Sequence, residues 1–287
     1  MNFNAIPPEN PYEGCRATFD AADIVIIGAG YDGTASYRPG SRFAPAAIRA
    51  ETFYSQEDYS PYFQRDLSEK AIHDAGDLDL PPDNKAAVLR MIYNASKGLL
   101  EHSKKPCFIG GEHLITFPAF EAALEMNPDV RLLQIDAHLD LIDELFGEKY
   151  SHGTVMRRCF ELMGEQQNRL YQVAIRSGSK EEFAFAEAHT RLFPFHTRDF
   201  INATDELRDF PIYLTVDLDV LDPSLLPGTG TPEAGGIFFP ELIEFFKALD
   251  GLNIIGADLV ELSPRIDPTN NSTITASKTL RELLMIL

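Results

Sequence analysis

Apolar residues along this chain gather in short, unbroken runs. They are DIVIIG (23–28), CFIGG (107–111), VRLLQI (130–135), YQVAI (171–175), IYLTV (212–216) and NIIGADLV (253–260). Continuous rather than alternating apolar character predicts strands buried on both faces. Between the runs the period lengthens. Residues 84–103 place Val88, Ile92, Ala95 and Leu99 at helical spacing behind Asn84, a suitable N-cap. Residues 116–126, 151–163, 240–250 and 275–286 also read as helices, with Pro118 and Pro240 near helix starts, where proline is tolerated. Strands alternating with helices predict a mainly parallel sheet covered on both faces. The Gly/Pro-rich stretch 223–240 is too short and too well flanked to be a boundary, so residues 1–287 read as a single α/β domain. In such folds ligands bind beyond the carboxyl ends of the strands.

Composition narrows the class. At 44% hydrophobic and 24% charged, the 287 residues suit a soluble globular protein. Lys plus Arg number 25 against 44 Asp plus Glu, a formal charge of -19. That balance argues against nucleic acid or an anionic membrane surface as partner and favours a small cationic ligand. No apolar stretch approaches the ~20 residues of a membrane helix. Cys15, Cys107 and Cys159 are odd in number and widely spaced, which suggests neither a disulfide framework nor a CxxC site. The N-terminus has no basic region leading an apolar run, so the expected compartment is the cytoplasm, and the sequon at Asn271 carries little meaning.

The strand ends carry the chemistry. VRLLQI runs into Asp136-Ala137-His138-Leu139-Asp140, and side chains at period two would point the same way if the chain stays extended. IYLTV leads to Asp217-Leu218-Asp219, where the same alternation gives two more carboxylates on one side, CFIGG to Glu112 and His113, and NIIGADLV to Glu261. A lone DxD is usually a turn or cap, and a lone His usually a structural residue. Several such pieces on separate strands point to metal, and mixed oxygen and nitrogen donors suit an ion such as Mn²⁺. Four aspartates offset two divalent cations; without cations they would raise each other's pKa. Asp222-Pro223 reads as turn chemistry. His73, His102, His189 and His196 fall in predicted helix ends or loops and read as structural. His152 opens a predicted helix shortly after DAHLD, where an imidazole can move protons near neutral pH. Gly28-Ala29-Gly30-Tyr31-Asp32-Gly33 matches GxGxxG, but Pro39 and Gly40 would break the helix a dinucleotide loop must open.

These motifs resemble those of the ureohydrolase family of arginases, agmatinases and related guanidino hydrolases. The matching segments are GYDGTASYRPGSRFAPAAIR (30–49), HDAGDLDL (73–80), GGEHLIT (110–116), DAHLDL (136–141), SHGTVMRR (151–158), VDLDVLDPSLLPGTGTPEAGG (216–236) and DLVELSP (258–264). The resemblance implies a three-layer α-β-α sandwich, commonly a homo-oligomeric trimer or hexamer, with two Mn²⁺ per chain. One ion would be held by His113, Asp136, Asp140 and Asp217, the other by Asp136, His138, Asp217 and Asp219. Nickel or cobalt could occupy the same donors. The chain departs from the family at Glu112, which replaces Asp, at Leu114, which removes a hydroxyl near the metals, and at Thr215 or Val216, where the family has Ser.

The resemblance further implies hydrolysis of a guanidinium group to urea and an amine. Glu261 would grip the planar guanidinium, Asp140 would take a proton from the attacking water, and His152 would bind substrate and help protonate the leaving amine. The acids Asp143, Glu144 and Glu148 stand where arginases carry a polar loop that grips a carboxylate. They point to the agmatinase branch, which turns agmatine into putrescine and urea. Aminopropyl-agmatine, guanidinobutyrate and arginine are the alternative substrates. A one-zinc deacylase and a non-catalytic homologue are alternatives of other kinds.

Overall fold

In the computed structural model, which describes residues 5–287, every one of those unbroken apolar runs is a strand. The strands are β1 (Ala5–Ile6), β2 (Ile24–Gly28), β3 (Tyr59–Ser60), β4 (Arg65–Asp66), β5 (Ile72–Leu78), β6 (Lys105–Ile109), β7 (Arg131–Ile135), β8 (Leu170–Ile175), β9 (Arg191–Pro194), β10 (Ile212–Asp217) and β11 (Ile254–Val260). The helices are α1 (Ala44–Ser55), α2 (Lys85–Glu101), α3 (Thr116–Met126), α4 (Val155–Leu162), α5 (Lys180–His189), α6 (Arg198–Ile201), α7 (Phe239–Leu249) and α8 (Asn271–Ile286). β3 and β4 pair with each other. The other nine strands form one sheet in the order β1-β5-β2-β6-β11-β10-β7-β8-β9. Every pairing in that sheet is parallel except β1 with β5.

The apolar runs are unbroken because each strand feeds two cores. In β2, Ile24 and Ile26 join one apolar layer with α1, α7 and α8. Val25 and Ile27 join the other with α2, α3 and α4. The result is the α-β-α sandwich. No helix among the described residues is long and apolar enough to cross a membrane.

Several elements lie outside the sequence expectation. β5 was not anticipated, and His73, expected in a loop or helix end, sits on it and bonds the Ala17 carbonyl. Asp74 of that strand is buried, which is tolerated because Arg49 of α1 meets it through two hydrogen bonds of 2.8 and 2.9 Å and also reaches Asp77. The stretch after GxGxxG stays non-helical through Gly40, and α1 starts only at Ala44, so the loop is not built for a dinucleotide.

The strand order fixes where ligands can bind. β6 and β7 are successive crossover strands, yet β11 and β10 lie between them. Chain direction through the sheet reverses there, and a crevice opens at the carboxyl ends. The four strands that meet at it are β6, β11, β10 and β7.

Candidate metal centre

Each of those four strands delivers its polar residues by a different local device. After β6, Gly110 and Gly111 take positive φ angles of 72° and 107°. A side chain on Gly111 would lie 2.3 Å from the Ala29 carbonyl oxygen, so only glycine fits this turn. The turn sets His113 at the start of a single 3₁₀ turn leading into α3. After β7, His138 still pairs in parallel fashion with Ser177, so Asp136 and His138 do share a face. Asp140 does not arrive by alternation as anticipated. It adopts φ 53°, and its carbonyl accepts from Met156 and Arg157 at the head of α4. After β10, the chain coils at once into a 3₁₀ turn over Leu218–Val220. Asp219 is therefore placed by that turn and by its own amide, which donates to Asp217 Oδ1 at 2.9 Å. After β11, Glu261 holds φ 66°, donates its amide to the Gly111 carbonyl at 3.0 Å, and accepts the His113 amide on Oε1 at 2.7 Å. Left-handed backbone at a non-glycine costs about 1–3 kcal/mol and persists only where neighbours over-determine it, typically at functional sites. Asp140 and Glu261 both meet that description.

All six anticipated donors converge. His113 Nδ1 lies 3.1 Å from Asp136, 2.9 Å from Asp140 and 3.2 Å from Asp217. His138 Nδ1 lies 3.0 Å from Asp219 and 3.7 Å from Asp136. Asp136 is thus common to two clusters, one around each imidazole. Asp217 reaches the His113 cluster. His113 Nδ1 is fully buried and has no hydrogen-bond partner of good geometry. A buried ring nitrogen facing three carboxylates fits a divalent cation, and the mixed O/N donor set agrees.

The electrostatics show the same need. Burial alone would push Asp136 up, but His113 and His138 hold it far below the carboxylate range. Asp140 is pushed up to about 6 by burial and by Asp136. Asp217 is raised by burial, Asp219 and Asp136. Burial disfavours the charged form of His138, yet Asp219 and Asp136 push it up to about 12. In the absence of cations, protons must take their place.

Glu261 and His152 line a cavity of about 280 Å³ together with His138, Asp140, Asp217 and Asp219. Burial, then Glu112, raises the Glu261 carboxyl. Burial lowers His152, and its Nε2 lies 3.0 Å from Ser36 Oγ. A larger, more open hollow of about 590 Å³ adjoins this cavity and shares Ser36 and Leu145 with it. It carries no imidazole and reads as the approach.

Residues outside the sequence expectation complete the site. Glu182, near the start of α5, lines the cavity. The Ser179-x-x-Glu182 spacing signals a helix cap, which it is, and nothing in the sequence adds the second role. Gln134 donates to Asp136 Oδ2 at 2.6 Å and to the His138 carbonyl at 3.1 Å, and it accepts from Gln172 at 2.7 Å. Glu112 accepts the Thr34 hydroxyl at 2.6 Å, and that hydroxyl in turn accepts the His152 amide at 3.1 Å. Leu114 lies in the apolar layer with α2, α3 and α4 rather than on the cavity, so its missing hydroxyl is replaced by packing.

The acidic loop does not play the part expected of it. Asp143 pairs with Arg158 at 2.6 Å and Glu148 with Lys85 at 2.5 Å. Asp143, Glu144 and Glu148 are exposed, and none lines the cavity, although Glu148, paired with Lys85, lines the adjoining hollow. The same loop instead presents Ile142 and Leu145 to it. Asp222 is turn chemistry, as read: it accepts from Ser224, Gly235 and Gly236.

A mainly parallel sheet whose central strands end in two imidazole and carboxylate clusters beside an acidic pocket points to a hydrolase of the binuclear-metal kind. The chain belongs to the arginase family, the ureohydrolases: the profile described as "Arginase family" matches residues 22–286. An agmatinase of Bacillus anthracis is 42% identical over 289 residues, covering 99% of each chain. A guanidinobutyrase of Pseudomonas aeruginosa is 32% identical, covering 96% of this chain and 90% of its own. The solved structure of the agmatine ureohydrolase of Thermoplasma volcanium superposes with TM-score 0.86 at 29% identity, covering 98% of this chain and 94% of that one.

Proposed function

We propose that this ureohydrolase cleaves agmatine to putrescine and urea. One observation carries the choice among guanidino substrates: the cavity is lined by Asp140, Glu182, Asp217, Asp219 and Glu261, and by no Lys or Arg. A carboxylate tail, as in arginine or guanidinobutyrate, finds no cation there. An ammonium tail finds Glu182, and Ile142 and Leu145 can clad a tetramethylene chain. The agmatinase relatives agree with this reading.

His113, Asp136, Asp140 and Asp217 would hold one divalent ion, and Asp136, His138, Asp217 and Asp219 the other. Manganese is the proposed metal, on donor hardness. Bound there, such a pair would supply Lewis acidity and lower the pKa of the attacking water. Glu261 orients the guanidinium through paired hydrogen bonds. Asp140 accepts the proton of the attacking water. His152 Nε2 delivers a proton to the leaving amine, with Ser36 Oγ as its neighbour.

A single domain over residues 1–287 is part of this reading, supported by the nine strands that share one sheet among the described residues. The proposed setting is a cytoplasmic homo-oligomer. The unbridged Cys15, Cys107 and Cys159 and the exposed aromatics Phe53, Tyr54, Tyr59 and Tyr62 support it. The test of function is urea release by manganese-loaded protein from agmatine, arginine and guanidinobutyrate. Agmatine should have the highest kcat/KM. Preference for either carboxylate substrate would sink the reading.

A further inference from the structure

Behind the His113 imidazole lies a buried hydrogen-bond chain that the proposed chemistry does not use. His113 Nε2 is 2.9 Å from Thr215 Oγ1. Thr215 Oγ1 donates to Asp258 Oδ1 at 2.5 Å. Asp258 Oδ2 accepts from Tyr213 at 2.9 Å, and Thr116 Oγ1 lies 3.3 Å from Thr215 Oγ1. Asp258 and Thr215 face each other because β10 and β11 pair in that register, and both are fully buried.

Counting protons fixes the direction of this chain. A hydroxyl has one proton and two lone pairs. Burial raises the Asp258 carboxyl, and the hydroxyls of Thr215 on Oδ1 and Tyr213 on Oδ2 hold it ionised against that, so Thr215 spends its proton on Asp258. It can then only accept from His113, which must carry its proton on Nε2. Nδ1 is thereby left to the oxygens of Asp136, Asp140 and Asp217 at 2.9–3.2 Å, and once any proton there is displaced it turns its lone pair on whatever lies between them. Lone pair against carboxylates is repulsive unless a cation lies between them. The opposite tautomer, with Nδ1–H donating to those carboxylates, would satisfy the apo site and compete with metal.

We infer that Asp258 and Thr215 are positioning residues that impose the metal-ready tautomer on His113, the imidazole of one ion site and not of the other. His138 has no matching relay: its partners among the described residues are Asp136 and Asp219, and its side chain is 24% exposed. The inference rests on the two-ion reading of the proposed function.

The test is metal binding by Thr215→Val, which keeps the shape and removes the hydroxyl, with Thr215→Ser as the conservative rescue and Asp258→Asn as an independent break. Mn²⁺ per chain is counted after dialysis against graded chelator, and paramagnetic resonance reports whether the two ions are paired. Wild type should hold two ions. Thr215→Val and Asp258→Asn should lose one ion at roughly 10–100-fold lower chelator strength, as loss of a ligand's hydrogen-bond partner typically costs. The coupled-pair spectrum should then give way to that of an isolated Mn²⁺. Thr215→Ser should restore the pair. If Thr215→Val keeps both ions at wild-type affinity, or sheds both together, the relay is refuted. If wild type itself takes only one ion at saturation, the two-ion reading fails first and the relay falls with it.

Discussion

Replacing Glu261 by glutamine changes one atom type and should disable the enzyme without emptying its metal site. Glu261 Oε1 already accepts the His113 amide at 2.7 Å, which leaves its other lone pair and Oε2 for substrate. In the glutamine variant the carbonyl oxygen must stay with that amide, since a buried amide left unpaired is costly. The NH₂ group is then turned into the cavity. A guanidinium offers only donors, so the bond to the former Oε2 is replaced by a donor facing donors, while the bond to the remaining Oε1 lone pair loses its charge assistance. At ~1.5–3 kcal/mol for a hydrogen bond to a charged group and about 0.5–2 kcal/mol for the lost assistance, the loss is about 2–5 kcal/mol, or roughly 30–5,000-fold in kcat/KM. Urea release from agmatine measures it, with metal counted on the same preparation, because Glu261 is not a proposed ligand. A Glu261→Gln protein that carries two ions per chain and works within tenfold of wild type would refute the assignment.

Three further outcomes follow from the same geometry. His152→Asn should lower kcat by roughly 10²–10⁴-fold while metal content stays at the wild-type level; loss of metal in that variant would contradict a proton-transfer role. Metal binding should release protons, because the site holds His138 near 12 and Asp140 near 6 without cations. Affinity should therefore rise with pH, and calorimetry in buffers of different ionisation enthalpy should show net proton release; none released would mean the clusters are not the ligands. Lys70 is pushed from 10.5 down to about 8, first by burial and then by Arg65 and Lys105. Between those values the unfolded chain binds more protons than the folded one, so stability rises with pH there. Lys70→Met should raise the denaturation midpoint at pH 7, with the gain closing as pH climbs through that window; a difference that does not change with pH would rule out the charge as its cause.

What could be read from the sequence follows from what each residue must bury. The six long strands of the sheet centre announce themselves because apolar layers cover both faces. β5 does not, since Asp74 and Asp77 interrupt it and their partner Arg49 lies 25 residues from Asp74 on α1. The metal donors were legible as motifs, yet two were placed by the wrong device. Asp140 and Asp219 reach the centre through a left-handed residue and a 3₁₀ turn, which leave no mark on a two-residue period. Glu182 was hidden behind its capping box. Asp258 was hidden because its function depends on its facing Thr215 across β10 and β11, a register no local pattern encodes.

The acidic balance of the chain gains a specific meaning only after the fold is known. A surplus of carboxylates on a surface confers solubility and little more. Here the loop acids that looked functional are neutralised by Arg158 and Lys85 or left exposed. The acids that matter are those the sheet gathers where β11 and β10 separate β6 from β7. Five carboxylates line one cavity with no Lys or Arg among them. Such a cavity is unstable as a set of bare anions, and it can be stabilised only by protons or by cations from solution. Two metal ions relieve part of that demand, and a substrate charged at both ends relieves more. On this argument the preference for agmatine over a guanidino acid has the same origin as the metal affinity. Placing a lysine at Glu182 should therefore weaken agmatine and favour guanidinobutyrate, while equal loss for both substrates would show that the tail is recognised elsewhere.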